Sequence, residues 1–275
     1  MHNIVILGSG RSGTSMVAGT LRNAGYFRGG DLHTAREGNP KGVFESGEVN
    51  AINEQILASV SPRRPRFIGK WLFRNRPRRY QMWLARIPLD TKISCSPELG
   101  ERMSNLVRRE PFCFKDPRFS YTLPCWLPYL TDTRYVVVFR DPAATAASIE
   151  KECRDWPYLH DLSLTRPEII DVWTLMYSHI LRSSESPAGP WLFLHYNQVL
   201  KGDGLDRLED FSRAPVDRSF PEASLRHSLS DEPVSGLVQE IYCRLCDLAY
   251  YNSGDRGKPC SRVPPKRSSI SFNVN

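Results

Sequence analysis

The chain has 275 residues, 40% of them hydrophobic and 24% charged, with a formal net charge of +7 at pH 7. That length and apolar share suffice for a sizeable core, and the positive excess favours an anionic ligand or partner without naming one. An apolar pattern already begins near residue 3 and no run approaches the roughly 18 residues of a membrane span, so neither a secretory leader nor a membrane span is expected, and a soluble, cytoplasmic protein is. Seven scattered cysteines are read as free thiols rather than a disulfide framework, with Cys243 and Cys246 packing on a helix.

In chain order, short apolar runs alternate with longer segments of helical period. The runs are Ile4 to Leu7, Phe112 to Phe114, Tyr135 to Phe139 and Trp191 to His195. Apolar residues at three-four spacing predict helices at about 14–24, 47–58, 98–109, 142–152, 167–184, 205–212 and 234–250. Ser46 is positioned to cap the second of these. This alternation predicts an α/β fold with a mostly parallel sheet and crossover helices. One domain is expected over 1–251, followed by a basic, partly mobile tail at 252–275 rich in Gly, Pro and Ser. The segments 26–45 and 61–97 are long irregular connections of the kind that carry function.

The stretch Gly8-Ser9-Gly10-Arg11-Ser12-Gly13-Thr14-Ser15 joins the first run to the first helix. Its glycines allow close backbone approach, and its N–H groups together with the helix start form an anion cradle. The spacing from Gly8 to Gly13 matches the P-loop pattern, but Thr14 stands where that pattern has its lysine. An ATP or GTP site thereby loses its main cation, and Arg11 supplies charge from inside the loop with a fork suited to two oxygens. Gly8, Gly10 and Gly13 also match the dinucleotide fingerprint. No acidic residue closes a second strand about 20 residues on, since Asp31 lies in the loop-like GGDLH segment.

Arg140 ends the third run, with Asp141 placed as a helix cap and Pro142 as the first helical residue. Ser148 lies two helical turns beyond Asp141, so Arg140 and Ser148 can grip one anion between them. The alternative is an Arg140–Asp141 pair closing the junction and a serine bonded to its own helix. Tyr196 follows the fourth run.

Taken together, these residues resemble the sulfotransferases that use 3′-phosphoadenosine 5′-phosphosulfate (PAPS). Arg11, Thr14 and Ser15 fill the positions of the basic residue and hydroxyl pair of that family's phosphosulfate loop. Arg140 and Ser148 fill its 3′-phosphate motif, and Tyr196 the position of a tyrosine beside the adenine, although Asn197 and Gln198 depart from the family's acidic pair. The resemblance covers roughly residues 3–215. It implies a three-layer, P-loop-like sulfotransferase fold, PAPS as donor and 3′,5′-ADP as product, with no metal required. It implies cofactor contacts from Gly10, Arg11, Ser12, Gly13, Thr14, Ser15, Arg140, Ser148 and Tyr196, and names Arg256-Gly257-Lys258 as a candidate contact to the 3′-phosphate. The acceptor would be a hydroxyl or amine of a small molecule, carbohydrate or natural product.

Sulfuryl transfer needs a base for the acceptor proton and cations for the leaving oxygen. Arg11 is the expected cation. Family members place a histidine after a lysine at a strand end, but no histidine follows Lys115 in Phe114-Lys115-Asp116-Pro117-Arg118. Glu45, Asp116 and His33 remain as candidate bases, with Lys115 and Arg118 as candidate contacts to sulfate or acceptor. Glu45 could instead be a first-turn helix glutamate, and Asp116 a salt-bridge partner of Arg118 or Arg140. Trp71, Phe73, Tyr80, Trp83, Tyr121 and Trp126 would line an acceptor site if they face the cleft, and core packing is their ordinary alternative. A P-loop kinase or nucleotide-binding enzyme is the second reading. The basic runs at 62–66 and 74–79 raise nucleic acid as a third, but no zinc-finger, basic-zipper or RNA-recognition signature accompanies them.

Overall fold

A computed structural model of the protein describes residues 1–32, 41–65, 69–186, 188–222, 234 and 236–252. The candidates His33 and Arg256-Gly257-Lys258 lie outside the described residues. Four strands, β1 (Asn3–Leu7), β2 (Cys113–Lys115), β3 (Thr133–Phe139) and β4 (Trp191–His195), form a parallel sheet in the order β2-β1-β3-β4. Val5 is in register with Phe114 on one side and Tyr135 on the other, and Val137 pairs with Phe193. The strands read as continuous apolar runs because both faces of the sheet are covered.

The helices are α1 (Thr14–Thr20), α2 (Gly47–Val60), α3 (Gly69–Leu72), α4 (Pro97–Val107), α5 (Phe119–Trp126), α6 (Pro142–Asp155), α7 (Arg166–Ser184), α8 (Tyr196–Lys201), α9 (Asp203–Ser212) and α10 (Leu237–Leu248). Alternate strand residues divide between them, as the two-residue period of a strand requires. Val5, Leu7, Phe114, Val137 and Phe139 pack with Ile52, Met103, Trp126, Trp173 and Leu245 from α2, α4, α5, α7 and α10. Ile4, Ile6, Val136, Val138 and Leu194 pack on the other face with Val17, Val199 and Leu208 from α1, α8 and α9. The result is the expected three-layer α/β arrangement. Three helices lack a signal in the sequence: α3 is only four residues long and lies in the segment read as irregular, α5 carries Pro124 within it, and α8 is six residues long and starts directly at the end of β4.

The caps follow the sequence. The Ser46 hydroxyl accepts from the Val49 N–H at 3.3 Å, and the Asp141 carboxylate accepts from the Ala144 N–H at 2.8 Å, with Pro142 opening α6. Cys246 is a buried free thiol, whereas Cys243 is disulfide-bonded, which corrects its assignment as a packing thiol. No helix among the described residues is long and apolar enough to cross a membrane.

The chain moves from β1 to β2 on one side and then crosses β1 to reach β3 on the other. Such a switch point leaves a crevice at the carboxyl ends of the strands. Here those ends deliver Gly8 to Gly13, Lys115, Arg140 and Tyr196. α7 ties the first of them to the sheet. The Tyr177 hydroxyl donates to the Val138 carbonyl at 2.7 Å and accepts from the Ser9 N–H at 3.2 Å, and burial pushes its pKa up to about 12. Tyr177→Phe leaves the buried Ser9 N–H without this partner, while the Val138 carbonyl keeps the Ser12 hydroxyl, and is expected to lower stability by about 1–3 kcal/mol, read as a shift in the urea midpoint at constant slope.

Candidate active site

The loop between β1 and α1 is held by contacts that only certain residues permit. A Cβ at Gly8, which has φ +142°, would lie 2.2 Å from the Val138 carbonyl oxygen. Ser12 donates its hydroxyl to the carbonyls of Ser9 (2.7 Å) and Val138 (3.1 Å), so it braces the loop against β3. Arg11 has φ +67°, a left-handed conformation that costs a non-glycine residue on the order of 1–3 kcal/mol. Its side chain repays that strain. Arg11 Nε donates to Ser148 Oγ at 3.1 Å, and Nη1 lies 3.3 Å from Glu152 Oε2. Ser148 and Glu152 are one turn apart on α6, both buried, and form a single clamp.

Ser148, expected to grip an anion together with Arg140, has its hydroxyl engaged by Arg11 in this clamp. Arg140 is buried at the end of β3 with its guanidinium 4.8 Å above the Tyr196 ring. Tyr196 in turn lies against Gly13, where a Cβ would come within 2.6 Å of its ring. Tyr196 is therefore a packed spacer between the loop and Arg140.

The facing wall comes from β2 and α2. Lys115 Nζ donates to Ser15 Oγ at 3.1 Å and to Glu45 Oε1 at 2.5 Å, while Asn50 donates to Glu45 Oε2 at 2.8 Å. The Lys115 side chain is 2% exposed and that of Glu45 12%. Burial works against the Glu45 carboxylate, but the Lys115 ammonium and then the Arg118 guanidinium outweigh it and hold its pKa below the ordinary carboxylate value.

Arg118, two residues past Asp116, is also buried. Its Nε donates to Glu54 Oε1 and its Nη1 to Asp116 Oδ1, both at 2.8 Å. Glu54 also accepts from the N–H groups of Tyr80 (2.8 Å) and Met82 (3.2 Å), which pins the 61–97 segment to α2. Asp116 has no exposed surface, accepts from Asn53 Nδ2 at 3.0 Å, and has its pKa raised first by burial and then by Glu45, against Arg118. That corrects its assignment as a candidate base: its carboxylate sits behind Arg118 and positions it.

Between these walls is a cleft of about 980 Å³ lined by Gly10, Arg11, Thr14, Ser15, Glu45, Lys115, Arg118 and Glu152, among others. Of the six aromatics nominated from sequence, Tyr80 and Trp83 line it. Tyr121 and Trp126 are core residues with no exposed surface, and Trp71 stands on the outside, 86% exposed. Aromatic character alone does not say which of these residues enter the core, which line the cleft and which stay outside. Glu54, Glu152 and Arg79 are site residues that sequence reasoning missed. Glu152 had a signal, its four-residue spacing from Ser148, whereas Glu54 and Arg79 are recognised only through their neighbours in space. The basic segment is partly absorbed internally, with Arg64 and Arg78 both paired to Asp161 at 3.2 and 2.7 Å. Among the described residues no group of three or more His, Cys, Asp or Glu side chains is arranged to hold a metal ion.

No family model matches the chain, and no curated protein matches it. Among solved structures, it is similar to the sulfotransferase domain from the Synechococcus PCC 7002 olefin synthase at 16% identity, covering 91% of this chain and 94% of that one with a TM-score of 0.49. Sulfotransferase STF9 from Mycobacterium avium matches at 16% identity over 90% of this chain and 76% of that one, TM-score 0.48. The sulfotransferase domain from the curacin biosynthetic pathway matches at 15% identity over 91% and 98%, TM-score 0.44.

Two outcomes follow from the geometry. Arg11→Gly is expected to be more stable than Arg11→Ala by about 1 kcal/mol in denaturant unfolding, because both lose the clamp but glycine alone accepts the left-handed φ without strain. Glu45→Gln strands the buried Lys115 ammonium and is expected to cost roughly 3–5 kcal/mol near neutral pH. A lowered carboxylate pKa stabilises the fold above the unfolded value and is lost as pH falls through the folded one, so this deficit should narrow on acidification below about pH 4. Thermal melts of both proteins across pH check the sign.

Proposed function

We propose that this cleft transfers a sulfuryl group from PAPS to a hydroxyl or amine of a small-molecule acceptor. The observation that carries the reading is the position of the cations. Arg11 stands inside the loop, Thr14 fills the lysine position, and Arg140 and Lys115 stand at the ends of the two strands flanking β1. A triphosphate relies on the missing lysine. A ligand with two separated anionic ends suits guanidinium groups at two places, each with a planar fork for oxyanions. The donor set fits PAPS: Gly10 to Ser15 with Arg11 and Lys115 would hold the phosphosulfate, and Arg140 the 3′-phosphate. When bound, PAPS supplies a sulfuryl group already activated on a phosphate leaving group.

The chain's own residues would supply charge and proton transfer. Lys115 Nζ lies between Ser15 and Glu45, so it can exchange the carboxylate for negative charge developing on a leaving oxygen beside the loop. Glu45, relieved of its counter-charge, becomes the stronger base, and its Oε1 accepts the proton of the acceptor. One ammonium thus links leaving-group stabilisation to base strength. Arg118, held by Glu54 and Asp116, would orient the acceptor from the same wall.

Thermal melts of the full chain with 3′,5′-ADP, ADP, ATP-Mg²⁺ and NAD test the donor class. 3′,5′-ADP is expected to stabilise selectively, by about 2.7 kcal/mol at a hundredfold excess over Kd, and stabilisation by ATP-Mg²⁺ alone overturns the proposal. Arg140→Ala should weaken 3′,5′-ADP more than 5′-AMP, which lacks the 3′-phosphate, and equal losses remove that assignment. Glu45→Gln should reduce turnover by roughly 10²–10⁴-fold while retaining 3′,5′-ADP binding, and normal turnover would exclude it as the base.

A further inference from the structure

We infer that the acceptor is an elongated, largely apolar hydroxy compound with an anionic group at the end remote from its reacting hydroxyl, and that Arg79 receives that group. The inference rests on the sulfuryl-transfer reading for which end of the cleft is reactive. Gly47, Ala51, Glu54 and Ala58 of α2 all line the cleft. Their spacing of four, three and four residues puts them on one helix face, so α2 forms a floor about 16 Å long at 1.5 Å per residue. Three of the four are glycine or alanine, which keeps that floor low, and Tyr80, Trp83 and Tyr158 add aromatic walls.

Of the polar side chains that α2 presents to the cleft, Glu54 is fully engaged, Gln55 accepts from Arg102, and Asn50 donates to Glu45, which leaves Asn50 Oδ1, near the Glu45 end, as an acceptor without a partner among the described residues. Glu54 Oε1 accepts from Arg118 and Met82, and its Oε2 accepts from Tyr80. Beyond Asn50 a polyhydroxylated ligand would find few partners along this stretch, whereas an apolar body strands little by lying there.

Charge then distinguishes the two ends. Four cations line the cleft, and three are matched: Arg11 with Glu152, Lys115 with Glu45, and Arg118 with Glu54 and Asp116. Arg79 has no carboxylate within salt-bridge distance among the described residues. Its guanidinium stacks 5.0 Å from the centre of the Tyr80 ring, while Asp161 nearby is taken by Arg64 and Arg78. Glu54 holds the Tyr80 N–H, and Tyr80 itself has φ +70°, so the Arg79–Tyr80 corner is fixed beside the later part of the floor. Glu45 and Lys115 stand at its beginning, next to Gly47. A ligand joining them needs a hydroxyl at one end, an apolar span, and an anion at the other.

Calorimetric titration of the full chain, with and without 3′,5′-ADP, tests this with three probes: ω-hydroxydodecanoate, its methyl ester, and ω-hydroxyhexanoate, which carries the charge without the reach. Wild type should bind the long acid about tenfold or more tightly than either other probe. Arg79→Ala, an exposed position without an ion-pair partner, should keep the wild-type melting temperature and 3′,5′-ADP affinity but lose the preference for acid over ester. Equal affinity for acid and ester, equal affinity for long and short acids, or a preference that survives Arg79→Ala would each overturn the inference. Transfer of labelled sulfate from PAPS separates the two claims. Arg79-dependent binding of the long acid without transfer upholds the acceptor site and removes the sulfuryl-transfer reading. Transfer to a neutral acceptor with no response to the acid does the reverse.

Discussion

Lys115 and Arg118, at and just beyond the end of β2, are buried against Glu45, which precedes α2, and Glu54 within it. Each of these charges would cost several kcal/mol to hold away from water alone. The helix therefore cannot slide along the sheet without stranding one of them. That constraint fixes which face of α2 looks onto the phosphate-type loop, and Asp116 and Asn53 extend it into the core behind Arg118. Through its second oxygen Glu54 carries the same constraint outward to Tyr80, so the outer wall of the cleft is registered to the inner one.

A second constraint works at the opposite wall. Arg11 occupies a backbone conformation that its side chain must stabilise, and the stabilising groups, Ser148 and Glu152, lie on the helix that Arg140 and Asp141 introduce. The loop after β1 and the junction after β3 thus form one mechanical unit. Tyr196 completes it, lying between Gly13 and Arg140. Preorganisation of this kind matters for group transfer with a loose transition state, where position and electrostatics carry most of the acceleration.

The fold class was legible because buried parallel strands leave an unmistakable trace, short continuous apolar runs separated by helical periods. The site was legible in part, since Arg11, Thr14, Ser15, Glu45, Lys115 and Arg118 were all nominated by residue type and position and all line one cleft. Partnership was not legible. Ser148 was read as sharing an anion with Arg140, eight residues before it, and nothing in the sequence announced that its hydroxyl also meets Arg11, 137 residues away in the chain. Asp116 stood as the second candidate base after Glu45, and only burial separates a carboxylate enclosed in the core from one that borders the cleft. Tyr121 and Trp126 show the same limit, since an amphipathic segment states that it has a buried side and not what lies there.

By itself, then, the sequence determined the parallel α/β class, the strand ends at which charged residues accumulate, the caps at Ser46 and Asp141, and the displaced cation of the loop. These are local properties, governed by residue period, backbone preference and the few residues that tolerate a given turn. The tertiary structure alone decided which cation meets which carboxylate, that Asp116 is buried, and that Arg79 lines the cleft without a carboxylate partner among the described residues. Those outcomes depend on desolvation and on contacts between segments far apart in the chain, and neither leaves a periodic trace in the order of residues.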